Sequence, residues 1–158
     1  QMTGLFDKIV SIEMLEAVGH RYLGKFFKTC DILLKPAGKL VIQVITIPDQ
    51  SYENYRRTSD WIKKYIFPGG HLPSVTALAE AVTRHTGLLM ENLEDIGTNY
   101  ALTLRDWRKL FMSNMDKISE LGFDDVFRRK WIYYLGTCEA GFRERAIGDI
   151  QVVFRKPA

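Results

Sequence analysis

Two hydrophobic rhythms share this chain. Phe6 to Ile12, reading F-D-K-I-V-S-I, has the look of a short strand. The next segment changes period: Leu15, Val18, Tyr22, Leu23, Phe26, Phe27, Cys30, Leu33 and Leu34 recur at spacings of three and four, which predicts one apolar helix face. Pro36 and Gly38 are expected to end that helix. Leu40 to Ile47 is almost continuously apolar and β-branched, the pattern of a parallel strand covered on both faces. Strand, helix and strand in this order predict an α/β sheet.

From Pro48 to Thr86 the chain turns polar, charged and aromatic, passes through I-F-P-G-G-H-L-P-S at 66–74, and enters an alanine-rich helix at Val75. An insertion of this kind after a sheet strand predicts a lid. Leu88 to Ile96 reads as a further strand. Two helices are predicted next, one carrying Leu104, Trp107, Leu110, Phe111 and Ile118, the other Phe127, Trp131, Tyr134, Leu135 and Cys138. Ile150 to Phe154 closes as a last strand. There is no internal repeat.

Composition narrows the class without naming a function. At 158 residues, 46% hydrophobic and 26% charged, the chain is an ordinary globular protein. Its net charge of +3 is too small to imply nucleic-acid binding. The basic clusters Arg56-Arg57, Lys63-Lys64 and Arg128-Arg129-Lys130 read either as solvated helix faces or as contacts for anionic lipid headgroups. Cys30 and Cys138 stand alone in apolar helical surroundings, which predicts reduced thiols and a cytoplasmic setting. No apolar run approaches the roughly 20 residues needed to span a bilayer, and Gln1 to Asp7 lacks the order of a secretory signal.

An α/β cofactor enzyme would be expected to carry a glycine-rich loop, because only glycine lets backbone N–H groups approach a ligand so closely. The twelve glycines here never form GxGxxG or GxxxxGK, and no Ser/His/Asp set or metal-ligand spacing stands out. Glu16 does stand out. It follows a strand end in S-I-E-M-L-E-A-V-G, at the sheet edge where open α/β folds bind ligands. Its alternative reading is a solvated carboxylate at a helix start. Gln43, polar inside an apolar strand, and Tyr134, on an apolar helix stripe, are candidates whose bland readings are a satisfied backbone neighbour and a core tyrosine.

The order of four motifs, F-D-K-I-V-S-I-E-M-L-E-A-V-G at 6–19, K-P-A-G-K-L at 35–40, K-Y-I-F-P-G-G-H-L-P-S at 64–74 and Y-Y-L-G-T-C-E-A-G-F-R at 133–143, joins these pieces. Together with I-Q-V-V-F at 150–154 it resembles the cyclopropane fatty acid synthases and the related mycolic acid cyclopropane synthases, with wording closest to the plant-like branch. The resemblance implies a Rossmann-like methyltransferase that uses S-adenosylmethionine, and it places 1–158 in the C-terminal part of one methyltransferase domain. Residues 4–47 would be a strand-helix-strand unit, 48–87 the lid insertion, and 88–158 the terminal strands and acyl-site helices. The cofactor's glycine loop would lie in an absent N-terminal half, which would bind most of the cofactor.

In that family a methyl group passes from the sulfonium to a cis double bond of a phospholipid acyl chain, and the resulting cation loses a proton and closes to a cyclopropane. The resemblance implies a bound bicarbonate as base. Its glutamate falls on Glu16, its tyrosine on Tyr134 and its backbone contacts on Ile12 and Ile45, while Cys30 and Cys138 match no family cysteine. The family's histidine corresponds to Gln43, and the histidine often following the glutamate corresponds to Ala17. A glutamine can donate a hydrogen bond to an anion but cannot shuttle a proton. Tyr133, Tyr134 and Phe142 would supply aromatic faces to a cation.

Three alternatives stay open on this scaffold: an amine as methyl acceptor, a methyl-branched lipid as product, and a non-catalytic lipid-binding module. A peripheral membrane location goes with a phospholipid substrate. The resemblance also implies that Phe6 to Ile12 lacks its usual neighbour, so that its open edge would pair with a second chain, a homo-oligomer partner or another strand.

Overall fold

Why the sheet can form at all is clearest at its centre, where Leu40, Ile42 and Val44 alternate with Val41, Gln43 and Ile45 on one strand. The computed structural model describes residues 4–158; Gln1 to Thr3 lie outside the described residues. The chain divides into two compact units, Gln1–Ile96 with Gly148–Ala158, and Gly97–Ile147.

The first unit holds β1 (Phe6–Ile12), α1 (Leu15–Val18), a 3-10 turn (His20–Tyr22), α2 (Leu23–Leu33), β2 (Leu34–Thr46), α3 (Asp49–Arg57), α4 (Trp61–Tyr65), α5 (Val75–His85), β3 (Leu89–Asp95) and β4 (Gly148–Arg155). The sheet order is β1-β2-β4-β3. β1 and β2 run parallel, whereas β4 is antiparallel to both β2 and β3. Sequence-distant strands thus meet at the centre: Gln43 faces Gln151, and Ile45 faces Asp149.

One face of this sheet carries the core. Leu40, Ile42 and Val44 from β2 and Ile150, Val152 and Phe154 from β4 are at most 3% exposed, packed with Leu23, Phe27 and Cys30 of α2 and Leu78 and Val82 of α5. Phe27 meets Phe154 edge to face at 5.7 Å, a favourable aromatic geometry. On the other face Val41, Gln43 and Ile45 are only half-buried. The expectation of a parallel strand covered equally on both sides is therefore corrected, because an antiparallel partner and a one-sided helical layer give period-two burial instead.

Two further differences have local causes. The helix predicted from Leu15 onward is broken at Gly19, whose φ of 76° suits glycine and ends α1 after one turn. Pro36 and Gly38 do not end a helix; α2 stops at Leu33 and both residues lie inside β2. There the pairing with β1 slips between Phe6 and Lys8, Ala37 takes φ 60°, and a Cβ on Gly38 would come within 2.8 Å of the Lys35 carbonyl. This is a kink absorbed at a strand start.

The 48–87 stretch is helical, and its parts differ in burial. α5 is built into the core through Leu78 and Val82, while α3 buries only Tyr52 and α4 nothing. α4 and α5 start on side-chain caps, Asp60 accepting from the Lys63 N–H and Ser74 from the Ala77 N–H.

The second unit is α6 (Gly97–Ser113), α7 (Met115–Glu120) and α8 (Asp125–Arg143). The first predicted helix is interrupted at Asn114, and Asp124 caps α8 by accepting from the Phe127 N–H. Ala101, Leu104, Leu135 and Phe142 are buried here. Glu139, 5% exposed, is clamped by Arg108 at 2.8 Å and Arg143 at 2.8 Å, which pairs an otherwise costly buried charge.

Phe27→Ala should lower stability by about 3–5 kcal/mol through lost transfer energy and a residual cavity. Leu89→Ala, at a side chain 51% exposed, should cost about 1 kcal/mol or less. Urea unfolding of the two variants checks this ordering.

Candidate functional site

Parallel β1 and β2 end side by side, and four side chains converge beyond them. The turn after β1 is anchored by the Glu13 N–H, which donates to the Gln43 carbonyl at 3.0 Å. Glu13 itself has φ 50°, a left-handed conformation that is unusual for a residue with a long side chain. That turn points two carboxylates, Glu13 and Glu16, toward the end of β2.

Glu16 accepts a 2.7 Å hydrogen bond from the Ile45 N–H, and its other oxygen is buried without a partner among the described residues. Its carbonyl accepts from the His71 N–H at 2.8 Å, which ties the 66–74 segment to α1. Gln43 is more fully engaged. Its Nε2 donates to Glu13 Oε1 and to Asp149 Oδ2, each at 3.0 Å, and its Oε1 accepts from Gln151 Nε2 at 3.0 Å. Both amide hydrogens are spent on carboxyl groups.

Asp149 enters from β4 because that strand runs antiparallel and begins where β2 ends. It is fully buried, with Oδ1 unpartnered among the described residues. Burial first, then the nearby Glu13 and Glu16 carboxyl groups, push its pKa up to about 7. Burial likewise raises Glu13 and Glu16 above the ordinary carboxylate value. Three acids this close cannot all ionise cheaply.

A second polar chain lies in the same unit. The Tyr52 hydroxyl sits 2.7 Å from His20 Nδ1 and 3.0 Å from His71 Nε2, so it donates to one ring and accepts from the other. Burial lowers the His71 pKa to about 4 and raises Tyr52 to about 12, leaving both neutral at ordinary pH. A cavity of about 400 Å³ beside it is lined by His20, Tyr52, Asp49, Ser74 and His85, and by none of Glu13, Glu16, Gln43 or Asp149.

The sequence-predicted residues thus separate into groups. Glu16, Gln43 and Ile45 come together, and Ile12 pairs with Gln43 across the strands. Tyr134 is half-buried on α8 in the second unit, edge to face with Trp131 at 5.5 Å. Glu13 and Asp149 were not anticipated; the available signal was a lone acid at each strand terminus, in S-I-E-M and I-G-D-I-Q. The basic clusters are largely occupied: Glu53 pairs with Arg56 and Arg57, Lys63 donates to the Tyr55 and Thr58 carbonyls, and Arg128 binds Ser119 and Asp125.

The family profile described as mycolic acid cyclopropane synthetase matches residues 1–152. The chain belongs to that family. Tuberculostearic acid methyltransferase of Mycobacterium tuberculosis is 46% identical over 140 residues, covering 89% of this chain and 33% of that protein. Cyclopropane-fatty-acyl-phospholipid synthase of Escherichia coli is 36% identical over 151 residues, covering 96% of this chain and 38% of that one. A solved mycolic acid cyclopropane synthase complexed with SAH and CTAB superposes with a TM-score of 0.88 at 28% identity, over 99% of this chain and 57% of its own. The chain therefore spans roughly a third of the curated relatives named and over half of that structure, with the Rossmann-like methyltransferase fold of the cyclopropane synthases. Cys30 and Cys138 are free and buried, and among the described residues no helix is long and apolar enough to cross a membrane.

Because Asp149 holds its proton up to about pH 7 when folded but only to its ordinary value of 3.8 when unfolded, the folded state binds more protons between those limits. Asp149's own contribution to stability should accordingly fall as pH rises from about 4 to about 7, against that of the buried neutral His71, which rises over part of the same range. Asp149→Asn should therefore gain stability relative to the wild type as pH rises through this window; thermal unfolding of both checks it, and a difference between them that does not change with pH would contradict the buried proton.

Proposed function

We propose that this chain is part of an S-adenosylmethionine-dependent enzyme that adds a one-carbon unit to the cis double bond of an unsaturated phospholipid acyl chain, as a cyclopropane-fatty-acyl-phospholipid synthase does. The observation that carries the proposal is the acidic cluster at the C-terminal ends of β1 and β2, in a chain of this family.

The cofactor fits these residues in one respect. Carboxylates at that edge suit a sulfonium cation, while no glycine loop for its nucleoside portion occurs among the 158 residues. When bound, S-adenosylmethionine would supply an electrophilic methyl group. Glu16, fixed by the Ile45 N–H, would hold negative charge near the reacting carbons as cation develops there. Tyr134 we assign to the acyl site, with Trp131 and its neighbours as the aromatic wall.

The bicarbonate implied by the resemblance does not fit the described residues. An added anion needs donors, yet both Gln43 hydrogens go to carboxyl groups and the Ile45 N–H goes to Glu16. Three acids surround the same spot.

A second reading, a methyl-branched product, is favoured by the 46% identity to tuberculostearic acid methyltransferase, against 36% to the cyclopropane synthase. Both readings share the lipid substrate, for which a peripheral position at the cytoplasmic membrane surface is the natural setting. Leu110 and Leu121 on the second unit, 63% and 75% exposed, suit such a surface. The outer edge of β1, with β2 as its partner among the described residues, would take a further strand from a longer chain or from a second copy.

With the complete enzyme and unsaturated phospholipid, mass spectrometry should show an acyl chain heavier by one methylene, and proton NMR should tell ring from branch. Glu16→Gln and Tyr134→Phe should each lower kcat several-fold or more with cofactor affinity nearly unchanged. An amine as the methylated product, or wild-type turnover in both variants, would overturn the assignment.

A further inference from the structure

Any transfer of a methyl group to an alkene leaves a cation that must lose a proton, so the enzyme needs a base. The alkene π pair forms the new carbon–carbon bond, and the bond to sulfur breaks with its pair remaining on sulfur. A C–H bond beside the cationic carbon then breaks. Its electron pair closes the ring, or forms a new double bond in the branched case, and its proton must be accepted by something within reach.

We propose that the Glu13–Asp149 carboxyl pair, bracketed by Gln43, is the built-in proton acceptor of this reaction and stands where a bound anion would otherwise be needed. The inference rests on the methyl-transfer reading above and adds its base. Glu13 is the catalytic residue of the pair, and Asp149 is a positioning residue that sets its proton affinity.

The geometry supports this in four ways. A single nitrogen, Gln43 Nε2, donates to one oxygen of each acid at 3.0 Å, so those oxygens are separated by at most twice that distance. Two carboxyl groups so close share one proton more readily than they both ionise. Access is unequal: Asp149 is fully buried with an unpartnered Oδ1, whereas Glu13 is only half-buried and can receive a proton from outside. Finally, Glu13 keeps a left-handed φ of 50°, a conformation in which a glycine or asparagine sits with less strain.

The remaining groups around the pair act in both directions. Glu16 on α1 and the pair's own members act on Asp149, and Asp95, at the end of β3, lies beside Gly148 at the start of β4. Gln43 supplies the opposing donors. Its amide cannot itself carry a proton, so proton transfer at this place falls to the two acids it holds.

The test uses the complete enzyme and three readouts. Infrared difference spectra of the wild type, without substrate, should show a protonated carboxyl band that titrates around pH 7, disappears in Asp149→Asn and titrates at lower pH in Glu13→Gln. Turnover in carbonate-stripped buffer should stay within about twofold of turnover with added bicarbonate. Glu13→Gln should lower kcat by about 100-fold or more with KM for phospholipid nearly unchanged, and Asp149→Asn, which removes the carboxyl that lowers the Glu13 pKa, should move the acidic limb of the pH–rate profile to higher pH.

The absence of any carboxyl band that depends on this pair would overturn the proposal. So would a tenfold loss of activity on carbonate removal that bicarbonate restores, or near-wild-type kcat in Glu13→Gln. Should Asp149→Asn fail to fold, the wild-type carbonate dependence and Glu13→Gln still decide. A wild type that modifies no lipid at all would instead sink the proposed function, while the infrared band would still confirm or refute the shared proton.

Discussion

The primary amide of Gln43 donates one hydrogen to Glu13 and the other to Asp149, and the arrangement at the end of the sheet depends on that pair of bonds. Remove them and two acids are left facing each other in a half-dry site with only repulsion between them. The amide is oriented in turn by Gln151, directly opposite it on β4. Strand register thus becomes a chemical specification: a shift of one residue would send Gln43 to the core face and put Ile42 or Val44 among the carboxylates.

The packing beneath serves this end. The apolar face of β2 and β4, pressed on α2 and α5, locks both strands with aromatic and branched side chains, and the polar residues ride on the opposite face of the same two strands. Rigid strands hold Gln43 and Asp149 more precisely than loops could. The His20, Tyr52 and His71 chain secures the 66–74 segment, whose His71 N–H bonds the Glu16 carbonyl.

Much of this was legible in the sequence. β2 as a strand, the closing strand and the helical stripes of α2 and α8 follow from apolar spacing, and the family from ordered motifs, whereas the period-two burial of β2 was hidden by its almost continuously apolar run. Glu16 could be read because it closes a recognisable strand-end motif. Its partner, a backbone N–H at Ile45, could not, since no side-chain identity marks it. Glu13 and Asp149 escaped because they lie 136 positions apart and become neighbours only through the antiparallel insertion of β4 between β2 and β3. The Gly19 break was hidden by apolar residues that kept helical spacing across it.

That insertion has a consequence for synthesis on the ribosome. β4 is translated after both β2 and β3, yet it lies between them in the sheet. Until it emerges, β2 has unpaired backbone N–H and C=O groups along the edge that β4 will take, and β3 has no partner strand among the described residues. Closing such long-range contacts is slow, and open apolar edges invite aggregation. Until β4 is translated the nascent chain is therefore a natural client for a chaperone, and Asp149, which completes the acidic cluster, arrives well after Glu13 and Gln43.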